Sequence, residues 1–254
     1  MKQGKLVLIG CGPGAADLLT FRAVERIRDS DVILYDRLVS MDVLQFASAQ
    51  SELVYVGKKC GDGGRQQADI NTVINQALKA GKTVARLKSG DPMIFGRAIE
   101  EIATATLCDA DVEIVPGVTS SLAAAAQAKI ALTEREEIQN FVMTTARTAK
   151  DLKVPDWSEM ARPGTCMCFY MGVAQAWRIQ SALMAAGVPG CAPADWVERA
   201  GHPDTRTVST RVDHMSLDAK ESGIANPAVL IVRYPFSLAK SDTLRAATLS
   251  LGNA

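Results

Sequence analysis

Residues 5–17 read KLVLIGCGPGAAD. Lys5 to Gly10 is a short apolar run that ends in glycine, the pattern of a buried strand. Gly10, Gly12 and Gly14 allow a tight turn and a close approach of backbone to a ligand. From Asp17 to Arg28, Leu18, Leu19, Ala23, Val24 and Ile27 fall on one helical face. Strand, glycine loop and helix in succession open an α/β unit. The basic start and short apolar run also have the look of a weak signal peptide. Gly10, Gly12, Pro13 and Gly14 break that run and Asp17 follows at once, so a buried first strand is the better reading.

Outward from this unit the alternation continues. DVILYD and ELVYVG read as strands, with a short helix near Met41 to Ala47 between them. Gln67 to Ala80 carries a helical stripe of Ile70, Val73, Ile74, Ala77 and Leu78. KTVARLKSG is a strand, Arg97 to Cys108 a helix and VEIVPG a strand. Repeated β-α units of this length predict a mostly parallel sheet covered on both faces. Around Ile130 to Glu137 the pattern changes to a charged stretch. The expected organisation is an N-terminal α/β domain over 1–132, a C-terminal α/β domain with a mixed sheet over 137–240, a ligand cleft between them, and a tail over 241–254. In the second half IQNFVMTT, TCMCFYMG, ADWVERA, TRTVSTRV and AVLIVRY read as strands, with helices near Ala174 to Ala185 and His214 to Glu221.

The chain has 254 residues, 48% hydrophobic and 22% charged, the balance of a soluble globular protein. Lys+Arg and Asp+Glu are each 28, which argues against a nucleic-acid coat or an anionic membrane as partner. Only two histidines occur, His202 and His214, so a histidine-rich metal site is not expected. The six cysteines show no metal-ribbon spacing. Cys166 and Cys168 alternate onto one face of a strand and read as small core residues. No run approaches the roughly 18–20 apolar residues of a membrane span. The expected setting is cytoplasmic, with reduced thiols.

Three segments carry chemistry. Gly10, Gly12 and Ala15 satisfy a loose dinucleotide fingerprint, and Asp36 ends the second strand about 20 residues later. Pro13 removes a backbone donor where a pyrophosphate would need one. On this loop alone a nicotinamide-dependent oxidoreductase stays open as a rival. Gly81 to Thr83 ends like a phosphate loop but precedes a strand, which excludes a nucleoside triphosphate site. In RLKSGDPMIFGR, Arg86 to Arg97, a strand ends in Ser89-Gly90-Asp91-Pro92 at the edge where open α/β sheets bind ligands. Asp91 is either a ligand acceptor or a turn residue. In VPGVTSSLAAAA, Thr119 or Ser120 caps an Ala-rich helix.

Taken together these segments resemble the uroporphyrinogen-III C-methyltransferase family. The resemblance runs from Lys5 to about Tyr234. It is carried by VLIGCGPGAADLLTFRA, DVILYDRLVS, VYVGKK, QADIN, ARLKSGDPMIFGR, VPGVTSSLAAAA, FYMG, WVERA and NPAVLIV. Their order and spacing displace the dinucleotide reading. The resemblance implies two α/β domains, a homodimer, and S-adenosylmethionine as methyl donor, with no metal. It implies transfer of two methyl groups to ring carbons of uroporphyrinogen III, giving precorrin-2 for sirohaem, cobalamin or haem d1. By resemblance, donor contacts fall on Pro13, Ser89, Gly90, Asp91, Ile94, Thr119, Ser120, Met171, Ala200, Pro227 and Ala228.

By the same resemblance Asp36 is the proton acceptor and Lys58 the proton donor. The substrate carries eight carboxylates and calls for cations. Arg37, Lys59, Arg65, Lys88 and Arg97 are the candidates, Arg97 foremost as part of the catalytic set. From Gly57 to Arg97 there are eight Lys/Arg against three Asp/Glu, a local excess that suits a polyanion. Where relatives often carry histidine, this chain has Gly63, Glu134 and Ala146. Two alternatives remain beside the leading reading: a sister methyltransferase acting on a later corrin intermediate, and a non-catalytic paralogue that binds donor or tetrapyrrole.

Overall fold

The computed structural model describes residues 3–57, 67–147 and 156–239. The chain divides into two compact units, Met1–Ser120 with Gly201–Pro203, and Ser121–Ala200 with Asp204–Ala254.

The first unit is built on five strands: β1 (Lys5–Gly10), β2 (Val32–Tyr35), β3 (Glu52–Tyr55), β4 (Thr83–Lys88) and β5 (Asp111–Val115). They lie in the order β3-β2-β4-β1-β5, and every pairing is parallel. The central strands are apolar on both faces because helices cover both. Leu6 and Leu8 of β1 face one core with Ile70, Ile74 and Leu78 of α2 (Gln67–Lys79) and Ala98 and Ala105 of α3 (Ala98–Thr106). Val7 and Ile9 face the opposite core with Ala23 and Ile27 of α1 (Phe21–Arg28). Each large side chain removed from water in this way contributes roughly 1.5–3 kcal/mol. Asp17 lies in a single 3-10 turn, and α1 starts only at Phe21, where the Thr20 side chain accepts a hydrogen bond from Ala23 N–H. That cap sets the helix start later than the periodicity suggests.

The second unit holds β6 (Asn140–Thr145), β7 (Thr165–Tyr170), β8 (Pro193–Glu198), β9 (Arg206–Arg211) and β10 (Ala228–Tyr234) in the order β6-β7-β10-β8-β9. Only β6 and β7 are parallel, so the sheet is mixed as expected. One face packs Met167, Phe169, Trp196, Leu230 and Val232 against α5 (Ala176–Ala185) and α6 (Met215–Glu221). Helix α4 (Ser120–Ala128) begins after β5, and its Ser121 meets the hydroxyl of Tyr170 at 2.9 Å. Cys166 and Cys168 are both fully buried in β7. The hydrogen bond with Cys166, and then burial, push the Cys168 thiol well above the usual range.

Candidate active site

In the first unit, β4, β1 and β5 are neighbours, and their carboxyl ends deliver three loops to one place. This is the edge at which open parallel sheets bind ligands. Backbone meets backbone there. Gly90 N–H donates to Gly12 O at 2.7 Å, and Gly12 N–H returns to Gly90 O at 3.3 Å. A Cβ on Gly117 would lie 2.4 Å from Gly90 O and 2.7 Å from the carbonyl carbon of Gly10. Glycine is therefore required at 117 by contact, whereas Gly90 needs it for its φ of +74°, since the nearest atoms to an added Cβ, from Thr119 and Ser120, lie at 3.8 Å.

Asp91 joins two of these loops. Its Oδ1 accepts from Met93 N–H at 2.8 Å, closing the local turn. Its Oδ2 accepts from Gly117 N–H at 3.0 Å, across to the exit of β5. Both readings of Asp91 drawn from the sequence thus meet a third, a brace between loops. Gly90, Asp91, Ile94, Thr119 and Ser120 are brought together by these contacts, with Ile94 N–H bonded to Asp91 O at 3.2 Å; Pro13 and Ser89 adjoin the paired Gly12 and Gly90 in the chain. Gly12, Pro13, Gly90 and Thr119 are buried at this junction, while Ser89, Asp91 and Ser120 are partly open to solvent.

A contact absent from the sequence reading completes this loop. Gly201 O accepts from Ala15 N–H at 2.7 Å, and a Cβ on Gly14 would lie 2.5 Å from Gly201 O and 2.7 Å from His202 Cδ2. Gly201 and His202 are far away in sequence. The only signal for them was a glycine following WVERA, which periodicity does not rank.

The candidates in the second unit gather separately. β10 runs antiparallel to both β7 and β8, so its start lies at the edge where those two strands end. Ala228 pairs with Glu198, Val229 pairs with Tyr170, and Arg199 N–H donates to Pro227 O at 2.8 Å. Met171, Ala200, Pro227 and Ala228 therefore share one sheet edge. Met171 has a φ of +56°, follows Tyr170 directly and is exposed.

Asp36 follows β2. Its Oδ1 accepts from Leu38 N–H at 3.0 Å and its Oδ2 from Arg86 Nη2 at 2.9 Å. Arg86 is buried on β4. Its Nη1 donates to Leu87 O at 2.6 Å and its Nε to Glu101 Oε1 at 3.1 Å. Glu101, on α3, is fully buried. Gln67 Nε2 donates to the same oxygen at 3.3 Å, and Lys88 Nζ lies 2.7 Å from Oε2 as an ion pair without a well-directed hydrogen bond. Charges of alternating sign so form a chain, Asp36–Arg86–Glu101–Lys88, whose last three members are buried. Burial, and then the charge of Arg86, hold the Lys88 ammonium below its ordinary pKa, against the pull of Glu101. Burial likewise pushes the neighbouring Cys11 thiol up to about 12.

The other cations divide. Lys88 is turned inward onto Glu101 rather than presented to a substrate carboxylate, because its aliphatic stem lies in a buried strand. Arg97, at the start of α3 with a φ of +55°, grips Glu100 with two hydrogen bonds of 2.7 Å and is exposed. Arg37 is exposed. Lys58, Lys59, Arg65 and Gly63 lie outside the described residues. Glu134 pairs with Arg233, and Ala146 belongs to the core of the second unit. Among the described residues no group of three or more His, Cys, Asp or Glu could hold a metal ion, and no helix is long and apolar enough to cross a membrane.

Known proteins of the same architecture share this arrangement of strands. A uroporphyrin-III C-methyltransferase from Thermus thermophilus, crystallised in its native form, is 32% identical with a TM-score of 0.77, over 91% of this chain and 92% of that one. The same enzyme complexed with S-adenosylhomocysteine is 34% identical with a TM-score of 0.76, over 91% and 97%. A cobalt-precorrin-4 methyltransferase of cobalamin biosynthesis is 27% identical with a TM-score of 0.81, over 91% and 95%. Among curated sequences, a sirohaem synthase from Zymomonas mobilis is 38% identical over 231 residues, covering 91% of this chain and 49% of that protein. One from Chromobacterium violaceum is 39% identical over 231 residues, with the same coverage. The chain spans about half the length of these curated relatives. With the family model for tetrapyrrole (corrin/porphyrin) methylases matching residues 5–216, the chain belongs to that family.

Proposed function

We propose that the chain methylates uroporphyrinogen III at two ring carbons, using S-adenosylmethionine, to give precorrin-2. The observation that carries this reading is the convergence of Ser89–Asp91, Thr119 and Ser120 beside the Pro13 loop in a chain of this family. S-adenosylhomocysteine, the product of such a donor, is the molecule bound in the Thermus thermophilus relative.

The chemistry is an in-line displacement at the sulfonium. A ring carbon forms a bond to the methyl group, the carbon–sulfur bond breaks, and S-adenosylhomocysteine leaves. The donor arrives activated, so the protein's task is positioning. The methylated ring is cationic until a proton departs, which asks for a base. Asp36 is the proposed acceptor, with Arg86 fixing one oxygen and Leu38 N–H the other. Lys58 is the proposed donor. Arg37, Lys59, Arg65 and Arg97 are the proposed partners for substrate carboxylates. Homodimer assembly and a cytoplasmic setting belong to the same proposal.

The test is anaerobic incubation of the purified protein with donor and uroporphyrinogen III, followed by mass detection. Products carrying one or two added methyls are expected; their absence overturns the assignment of substrate. One observation favours a second reading: the TM-score to the cobalt-precorrin-4 methyltransferase, 0.81, exceeds the 0.77 to the native uroporphyrin-III enzyme. Consumption of a later corrin intermediate in place of uroporphyrinogen III would select it.

A further inference from the structure

We infer that Glu101 is a positioning residue that acts on Asp36 through Arg86, setting the orientation of the proton acceptor from inside the first unit. The inference rests on the proposed role of Asp36.

Among the described residues, the hydrogen bonds and ion pairs of Glu101 go to β4 and to the start of α2. It sits on α3, fully buried, and its nearest neighbours in the polar chain are Arg86, Lys88 and Gln67. A carboxylate in such a place carries a heavy desolvation cost unless it is paired and hydrogen-bonded. Here it is met by two cations from alternate positions on one strand. Arg86 and Lys88 both point toward α3 because they are two residues apart on β4.

The guanidinium of Arg86 has a fixed planar fork. Three of its contacts are accounted for: Nε to Glu101, Nη1 to Leu87 O and Nη2 to Asp36. Fixing Nε fixes the plane, and the plane fixes where Nη2 points. Asp36, partly open to solvent, has its second oxygen held, among the described residues, by the Leu38 amide. Its conformation is therefore set from within the protein, by the Glu101 carboxylate at one remove.

The test compares Glu101→Gln, Arg86→Met, the double variant and Asp36→Asn, each checked for folding by circular dichroism. Turnover of uroporphyrinogen III is followed at varied donor concentration, which separates kcat from KM. Glu101→Gln is expected to lower kcat by roughly 10- to 100-fold, with the KM for donor little changed. In the Arg86→Met background the same substitution should lower kcat no further. If Glu101→Gln does not accumulate as folded protein, Glu101→Asp, which keeps the charge but withdraws the carboxylate by one methylene, should also lower kcat at unchanged KM. An unchanged kcat in these folded variants overturns the inference, because a merely structural carboxylate would alter yield and melting temperature alone. An equal fall in kcat with and without Arg86 also overturns it. Undiminished turnover by Asp36→Asn would instead overturn the proposed role of Asp36.

Discussion

The Asp91 carboxylate accepts the Gly117 amide at 3.0 Å, so a side chain at the end of β4 holds the loop that leaves β5. The strand between them, β1, ends in Gly10, which a Cβ at 117 would strike. Three strand exits are thus registered by one carboxylate and by glycine contacts.

Asp91→Ala removes acceptors for two backbone amides, Met93 and Gly117. We predict a loss of about 2–4 kcal/mol in stability, from two unmet or weakened charge-assisted hydrogen bonds. Affinity for S-adenosylhomocysteine should fall at least tenfold. Urea unfolding and isothermal calorimetry read the two effects. Unchanged affinity would show that the brace does not shape the donor site.

Gly117→Ala and Gly187→Ala form a matched pair. At 117 the new methyl meets backbone at 2.4 Å, so the loops must part. At 187, with a φ of +88°, nothing lies within 4 Å and only backbone strain is added. We predict loss of donor binding at 117. At 187 we predict a cost of about 1–2 kcal/mol with normal binding. Equal effects on binding would contradict the assigned role of the glycine junction.

Asp195 gives a pH-dependent expectation. Burial raises its carboxyl above the ordinary range, against a hydrogen bond from Ser209. Its contribution to stability is fully present below the unfolded carboxyl pKa of about 3.9 and is lost as pH rises through the higher folded value. The ionised form is thus the costly one at neutral pH. Asp195→Asn, which can still accept from Ser209, should raise the melting temperature at pH 7. The gain should vanish as the pH approaches 3. A lower melting temperature at pH 7 would refute this.

The thiols should separate by reactivity. Cys191 is exposed, while Cys11, Cys166 and Cys168 are buried, and Cys11 and Cys168 have raised pKa values. At pH 8 iodoacetamide should label Cys191 in the native protein and reach the other three only after denaturation. Peptide mass mapping checks this, and early labelling of Cys11 would contradict its burial.

Much of this was legible along the chain, for reasons that differ by element. VLIG in β1 and VILY in β2 read as strands because a strand buried on both faces must be apolar throughout. The Ser89–Asp91 and Thr119–Ser120 turns were visible because glycine and proline punctuate them. The inward turn of Lys88 was not. Glu100 and Glu101 look alike in a helical string, yet one is an exposed partner of Arg97 and the other is fully buried. Only the packing of α3 against α2, β1 and β5 separates them. The local excess of eight cations over three acids was real as a count. Arg86 and Lys88 answer Glu101, Arg97 answers Glu100 and Lys82 answers Glu52, all acids outside the counted window. Linear charge is a poor guide to surface potential when partners come from other segments.

Gly201–Pro203 belongs to the first unit although some eighty residues of the second precede it. The architecture is therefore not modular in the sense that cloning requires. A fragment ending at Ser120 would carry all five strands of its sheet yet lack the carbonyl that receives Ala15 N–H. Its glycine loop would be left half-braced, and a separately expressed second half would hold the missing three residues with nothing to clasp. Any engineering that swaps one half for a homologue's must carry this short return segment with the sheet it serves.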